Sequence, residues 1–286
     1  MDKAILFGIA AALLYGVTDF VARFANKSNG VVKTLLWGQG LLAVLLTVAV
    51  ILVDHPVSAT IGEWSILMAS NLMIMAGTAC LYHGLATGRL AVVAPVMSGY
   101  GAISGLLALA SGSAITLLGG AGLALTAVGA VLAAASPRKD RDIGNGRPSG
   151  WLPAAGAAVM YGGAYWIQGT WSLPVFGALD TLWSYYLSGT LVFGLVAAIR
   201  RQDMRLDGVK GSALIFGTAL LAAGGYFALS FSQMSGGVAI GPALGATASA
   251  ITVMLAFVFL REKVAWPGWL GVASVVAGVA ALHLGK

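Results

Sequence analysis

Runs of about 20 apolar residues, separated by short polar breaks, recur along this 286-residue chain. A helix needs roughly 20 such residues to cross the ~30 Å hydrocarbon core of a bilayer, where each backbone donor and acceptor must be satisfied within the protein. Ten stretches qualify, at about 3–24, 31–53, 64–87, 90–111, 115–135, 150–170, 177–199, 211–233, 238–260 and 265–284. The expected fold is therefore an all-α membrane protein of ten transmembrane helices. Charged residues make up only 9% of the chain, against about 25% in soluble domains. The first stretch, MDKAILFGIAAALLYGVTDFVARF, reads as a span and not as a signal peptide, because it is too long and lacks a convincing cleavage site. Forty glycines suit helices whose backbones approach closely. The single cysteine, Cys80, forms no intramolecular disulfide and reads as a buried, inert thiol.

The only long polar connection, SPRKDRDIGNGRPSG, falls near the middle of the chain. The segments on either side of it repeat one another in order. AAALLYG matches GAAVMYG, setting Tyr15 against Tyr161 at an offset of 146; Thr34-Leu35 matches Thr181-Leu182, and Pro95 matches Pro242, at 147. Gly122 and Gly129 match Gly271 and Gly278 at 149. The division is a first five-helix repeat over 1–135, a cytoplasmic linker over 136–149 and a second five-helix repeat over 150–286, forming one integral membrane unit.

Charge sets the orientation. Of the 16 Lys and Arg, only Lys3 and Lys286 fall on the side that holds both termini. The positive-inside rule places the other side in the cytoplasm and both termini outside it. Five spans are an odd number, so the second repeat enters the membrane inverted relative to the first. This is the plan of secondary transporters, with a central cavity at the midplane between repeats. The basic residues are scattered among the connections and form no patch for nucleic acid.

Two five-helix repeats with Gly-rich last helices and a proline early in each fourth helix resemble the drug/metabolite transporter superfamily, in particular its EamA-type ten-helix members. The residues that carry the likeness are VAIGPALGATASAITVMLAFVFLREKVAWPGWLGVASVVAGVAAL, with Pro242, Glu262, Gly268, Gly271 and Gly278, and the first-repeat stretch LATGRLAVVAPVMSGYGAISGLL with Pro95. The first repeat lacks the acidic residue after its fourth helix, which argues against a functional role for Glu262. Within the superfamily the sequence is most similar to the YddG-type exporters of aromatic amino acids. The resemblance implies an inner-membrane carrier with a cavity lined chiefly by helices 1, 3 and 4 and helices 6, 8 and 9.

Polar side chains are costly in hydrocarbon and face a protein interior or a watery cavity. On the third span Asn71, Met75, Thr78 and Tyr82 share a face, with His83 beside it; on the sixth, Tyr161, Tyr165 and Gln168 do so, with Trp166 about 100° round. On the eighth, Tyr226, Ser230 and Gln233 form another stripe. The expected cavity residues are Tyr82, His83, Tyr100, Tyr165, Trp166, Gln168, Tyr226 and Gln233, suited to a flat, partly apolar solute. Trp37, Trp64, Trp151, Trp171, Trp266 and Trp269, near span ends, read as interfacial belt residues. Tyr100 and Trp166 stand open between cavity and packing, and His83 between substrate contact and a structural bond to a carbonyl. Asp19, four residues before Arg23, is either half of a local ion pair or a coupling carboxylate. Pro95 and Pro242 interrupt the fourth helix of each repeat and are the expected kinks and gates.

The expected function is export of amino acids, aromatic ones first (Phe, Trp, Tyr), by alternating access; the alternative is a broader metabolite or drug exporter. A small-molecule substrate and the lipid bilayer are the expected partners, with no nucleic acid, no metal and no cofactor; a monomer is plausible for the oligomeric state. An enzyme is not expected, because the chain carries no His-Glu-x-x-His and no Gly-x-Ser-x-Gly signature. A channel is disfavoured by the lack of a repeated filter loop or a ring of charges.

Overall fold

A computed structural model describes residues 3–53, 57–112, 116–134, 150–206, 208–236, 238–262, 264 and 266–284. The linker 136–149, with Arg138, Lys139, Arg141 and Arg147, lies outside the described residues, as do His55 and Lys286. All regular structure among the described residues is helical. The first half contains α1 (Lys3–Asn29), α2 (Val31–Val53), α3 (Ile61–Thr87), α4 (Leu90–Met97), α5 (Tyr100–Ala110) and α6 (Leu117–Ala134). The second contains α7 (Trp151–Ile167), a π turn (Gln168–Ser172), α8 (Leu173–Ile199), α9 (Gly208–Gly236), α10 (Ile240–Ala246), α11 (Ala248–Leu260) and α12 (Trp266–Leu284).

Seven helical stretches among the described residues are long and apolar enough to cross a membrane, and the chain is a polytopic all-α membrane protein. One of them, Trp151–Ile199, has 49 residues. Built straight it would be about 73 Å long at 1.5 Å per residue, more than twice the hydrocarbon core. It is broken at Gly177, whose φ of 67° and ψ of −178° are not helical. Without a Cβ, glycine takes that conformation at little steric cost.

The helix starts follow local chemistry where polar residues are available. Thr60 and Glu63 form a capping box at α3: the Glu63 N–H donates to Thr60 Oγ1 at 3.3 Å, and the Thr60 N–H donates to Glu63 Oε2 at 2.7 Å. Elsewhere the helices are held by packing. α1 packs on α9, α3 on α7, α2 on α8 and α6 on α12. In each of these pairs one helix comes from the first half and one from the second. Large apolar side chains such as Val44 and Leu52 on α2, Leu191 and Leu195 on α8, and Phe259 on α11 face outward, as lipid-facing surfaces should.

The two proline-bearing stretches depart from expectation. In each, the break falls after the proline. In the first half it comes at Ser98 and Gly99, where Gly99 N–H bonds Val96 O at 3.2 Å and Gly101 N–H bonds Ser98 O at 3.2 Å. In the second it comes at Thr247, whose N–H bonds Leu244 O at 3.0 Å, while Ala250 N–H bonds Thr247 O at 3.0 Å. These are three-residue bonds of the 3₁₀ type, tighter than the helices on either side. Each break also carries a hydroxyl that donates to the carbonyl three residues back: Ser98 Oγ to Pro95 O at 2.6 Å, and Thr247 Oγ1 to Leu244 O at 2.7 Å. Pro242 causes no break of its own because it lies in the first turn of α10, where its missing N–H has no helical partner to lose.

Candidate functional site

A central cavity of about 70 Å³ is walled by α1, α2, α3, α7, α8 and α9. It is lined by seven tyrosines: Tyr15, Tyr82, Tyr161, Tyr165, Tyr185, Tyr186 and Tyr226. The chain has eight. The remaining one, Tyr100 on α5, stands behind the wall, its ring edge-on to Tyr165 at 5.5 Å and to Tyr161 at 6.2 Å. Every tyrosine in the protein thus belongs to one cluster.

Glycines on the facing helices stand beside two of the rings. A Cβ on Gly225 would collide with the ring of Tyr15 at 2.8 Å, whereas one on Gly77 would meet the Tyr161 ring at 3.5 Å, an ordinary contact, and Met160 Cβ at 3.2 Å. Tyr15 and Gly77 come from the first half, Tyr161 and Gly225 from the second. Each half thus sets a tyrosine beside a glycine of the other.

The hydroxyls are tied together. Thr78 Oγ1 lies 2.8 Å from Tyr161 OH and 3.1 Å from Tyr185 OH, and Gln39 Nε2 donates to Tyr185 OH at 3.0 Å. Beyond Tyr226 runs a second chain of bonds. Its hydroxyl donates to Gln168 Oε1 at 2.6 Å, Gln168 Nε2 donates to Asn71 Oδ1 at 3.3 Å, and Asn71 Nδ2 donates to Ser184 Oγ at 2.9 Å. Gln168 is completely buried and opens the π turn, whose wider pitch is found often at functional sites. A buried amide costs free energy unless bonded, and here both ends of Gln168 are used.

Of the residues expected from sequence, Tyr82, Tyr165, Tyr226 and Asp19 line the cavity. Gln168 supports Tyr226 from behind, and Gln233 donates from Nε2 to Tyr165 O at 2.9 Å. His83 is exposed and faces away from the cavity. Trp166 lies at the periphery, edge-on to Trp171 at 4.9 Å, with its Nε1 donating to Ser111 Oγ at 3.1 Å. α2 and α8 supply a wall that the family resemblance did not imply, including Gln39, Tyr185 and Tyr186, while the broken helices α4–α5 and α10–α11 stand outside it. Tyr185 falls at helical spacing with Thr181, Ser184 and Ser188, a polar stripe on α8 that the sequence reading passed over. The repeat offset of 147, which holds at Thr34 and at Pro95, sets Gln39 against Tyr186 and was a further signal.

The electrostatic arrangement corrects one expectation outright. Arg23 does not pair with Asp19. Its guanidinium forms an ion pair with Glu262 at 3.0 Å and donates to Gly88 O at 2.9 Å. Glu262 Oε2 accepts the N–H of Ala91 at 3.1 Å. Arg261, in a left-handed conformation at φ 52° and ψ 32°, ends α11 and turns the chain toward this contact. Asp19 is left inside, 3% exposed. A second buried carboxylate, Asp180, follows the Gly177 break on α8. Sequence reasoning passed over it because it fell at the start of an expected span.

Residues 149–284 match the EamA-like transporter family. No curated protein matches the chain. One solved structure, described only as a crystal structure of a protein, superposes over 98% of this chain and 96% of its own with a TM-score of 0.68 at 17% identity, a likeness of fold.

Proposed function

We propose that this chain, a member of the EamA/drug-metabolite transporter superfamily, exports small metabolites with a flat or apolar body by alternating access around the tyrosine-lined cavity. Proteins of this family are transporters of small solutes across a lipid bilayer and not enzymes, and the chain is a multi-pass membrane protein of that kind. The observation that carries the substrate reading is the gathering of all eight tyrosines at one cavity. Their faces offer apolar contact and their hydroxyls a few oriented bonds. Aromatic amino acids are the narrower members of this class.

Ten membrane-crossing helices in two inverted five-helix units, 1–135 and 150–286, belong to the same reading. The reciprocal Tyr15–Gly225 and Tyr161–Gly77 contacts support it. The basic side of the chain then faces the cytoplasm and both termini face away from it in the inner membrane. A membrane-impermeant label is expected to reach cysteines placed at either end from outside intact cells; labelling only after lysis would reverse the orientation.

The test of function is a solute panel on purified protein in liposomes, including Phe, Trp, Tyr and neutral and cationic aromatic compounds. Saturable, exchangeable flux of at least one of them is expected, and no flux of any from folded protein overturns the reading. Unitary current steps would indicate a channel instead. If the matched breaks beyond Pro95 and Pro242 act as hinges of the two gates, Pro95→Ala and Pro242→Ala slow turnover without changing apparent affinity. Unchanged turnover in both would make the prolines features of bundle shape alone.

A further inference from the structure

The two halves are alike in how they seat their tyrosines and unlike one turn further on. At the offset that pairs Tyr15 with Tyr161, Asp19 on α1 is paired with Tyr165 on α7. Both line the cavity. One half therefore presents a carboxylate where the other presents a phenol.

Asp19 Oδ2 is buried and has no hydrogen-bond partner. Its nearest sequence candidate, Arg23, is committed to Glu262 and to Gly88 O. Among the described residues no Lys, Arg or His lines the cavity. Gln39 shows the same imbalance: its Nε2 is used by Tyr185 OH, while its Oε1, also buried, has no partner. The lining hydroxyls of Thr18 and Thr218 donate to carbonyls of their own helices, at 2.7 Å each, and keep only acceptor capacity toward the space. The cavity thus has a buried carboxyl oxygen and a buried amide oxygen without partners, together with the faces of several phenol rings. A carboxylate in such a place is costly without a counter-charge, and aromatic faces attract cations. The space of about 70 Å³ is room for roughly two waters at ~30 Å³ each. That suits a charged head group and is too small for a whole aromatic solute, whose body must take space opened by movement of the walls.

We propose that the cavity is a recognition site for an organic ammonium group, and that the exported solute is an amine with a net positive charge and an apolar or aromatic body. Its nitrogen pairs with the Asp19 carboxylate, and its body lies against the tyrosine rings. This rests on the reading of the cavity as the transport site and sharpens it. A carboxylate on the solute meets no cationic side chain there, so an amino acid binds less well than the amine that lacks its carboxylate.

The experiment is calorimetric titration of the purified full chain with three probes that share one ring: phenethylammonium, phenylalanine, which adds a carboxylate, and 2-phenylethanol, which removes the charge. Phenethylammonium is expected to bind at least about tenfold more tightly than either of the others. Asp19→Asn is expected to lose about tenfold or more of the amine affinity, with Asp19→Glu restoring part of it. Thermal unfolding of both variants checks that they are folded, and the three-probe comparison on the unaltered protein stands without them. Sodium chloride alone serves as the probe for an inorganic cation, and saturable heat with sodium that abolishes amine binding overturns the organic assignment. Equal affinity for phenylalanine and phenethylammonium, or amine binding unchanged in Asp19→Asn, also overturns it. Binding of phenylalanine without the amine removes the ammonium proposal and leaves the tyrosine-cavity reading standing; no binding of any probe removes both.

Discussion

Gly129→Val and Gly278→Val are expected to abolish recovery of monodisperse, folded protein from the membrane. A Cβ on Gly129 would lie 2.7 Å from Gly271 O and 2.8 Å from Val275 N; one on Gly278 would lie 2.6 Å from Gly122 O and 2.7 Å from Thr126 N. These are backbone atoms, so no rotamer change relieves the overlap. α6 and α12 must move apart, and with them goes the close packing that holds membrane helices together in the absence of a hydrophobic drive between them. Overpacking in a tight core costs about 1–3 kcal/mol and sometimes more, and contact with backbone on a facing helix belongs at the upper end or beyond. Gly217→Ala on α9 is the control. Nothing lies within 4 Å of a Cβ there, and alanine gains about 0.5–1 kcal/mol over glycine within a helix. Thermal unfolding in detergent separates the cases: a raised or unchanged midpoint for Gly217→Ala and no cooperative transition for the valine variants. Normal unfolding of Gly129→Val would mean that α6 and α12 do not meet through these glycines.

That contact also shows what sequence can reveal in such a chain. The repeat pairs Gly122 with Gly271 and Gly129 with Gly278. In the fold Gly129 meets Gly271 and Gly278 meets Gly122, so the glycines that the offset singles out are those at the contact of α6 with α12. The offset carried this information because glycines are needed at one register only. The Arg23 assignment went the other way. Four-residue spacing makes Asp19 and Arg23 plausible partners on an isolated helix, but spacing has no access to a glutamate that arrives from the end of α11. The prolines were visible as interruptions, yet the position of each break depends on a hydroxyl and a few three-residue bonds around Ser98 and Thr247. Polar stripes on three helices found Tyr82, Tyr165 and Tyr226; the stripe of Thr181, Ser184, Tyr185 and Ser188 on α8 was passed over, and Tyr186 lies about 100° round from it. Such stripes also could not separate His83 and Trp166, which point outward, from neighbours about 100° round the same helix.

Arg23→Met is the other substitution with a large expected effect, and its size comes from what it leaves behind. The Arg23 and Glu262 side chains keep only 14% and 10% of their exposure. Removing one partner of a buried pair costs about 3–5 kcal/mol, because the other charge remains without compensation; the residual exposure puts the expected loss toward the lower end. Glu262 keeps one neighbour in the variant, the Ala91 N–H at the start of α4, where the helix end favours a negative charge. This rescues part of the loss and makes Glu262→Leu a different lesion: it leaves Arg23 with Gly88 O and strips α4 of an acceptor for its first turn. The double variant Arg23→Met with Glu262→Leu buries no unpaired charge and loses less than the sum of the two, since a buried pair replaced as a unit is often close to neutral. Unfolding midpoints of the four proteins give the coupling directly. Strict additivity would show that the two side chains do not act as a pair. Coupling of 1 kcal/mol or more, on the scale typical of contacting residues, would establish that α1, the junction of α3 with α4, and the end of α11 are fastened at one point. The fastening lies one turn along α1 from Asp19, so release of this end of the bundle and access to the carboxylate in the cavity are carried by the same helix.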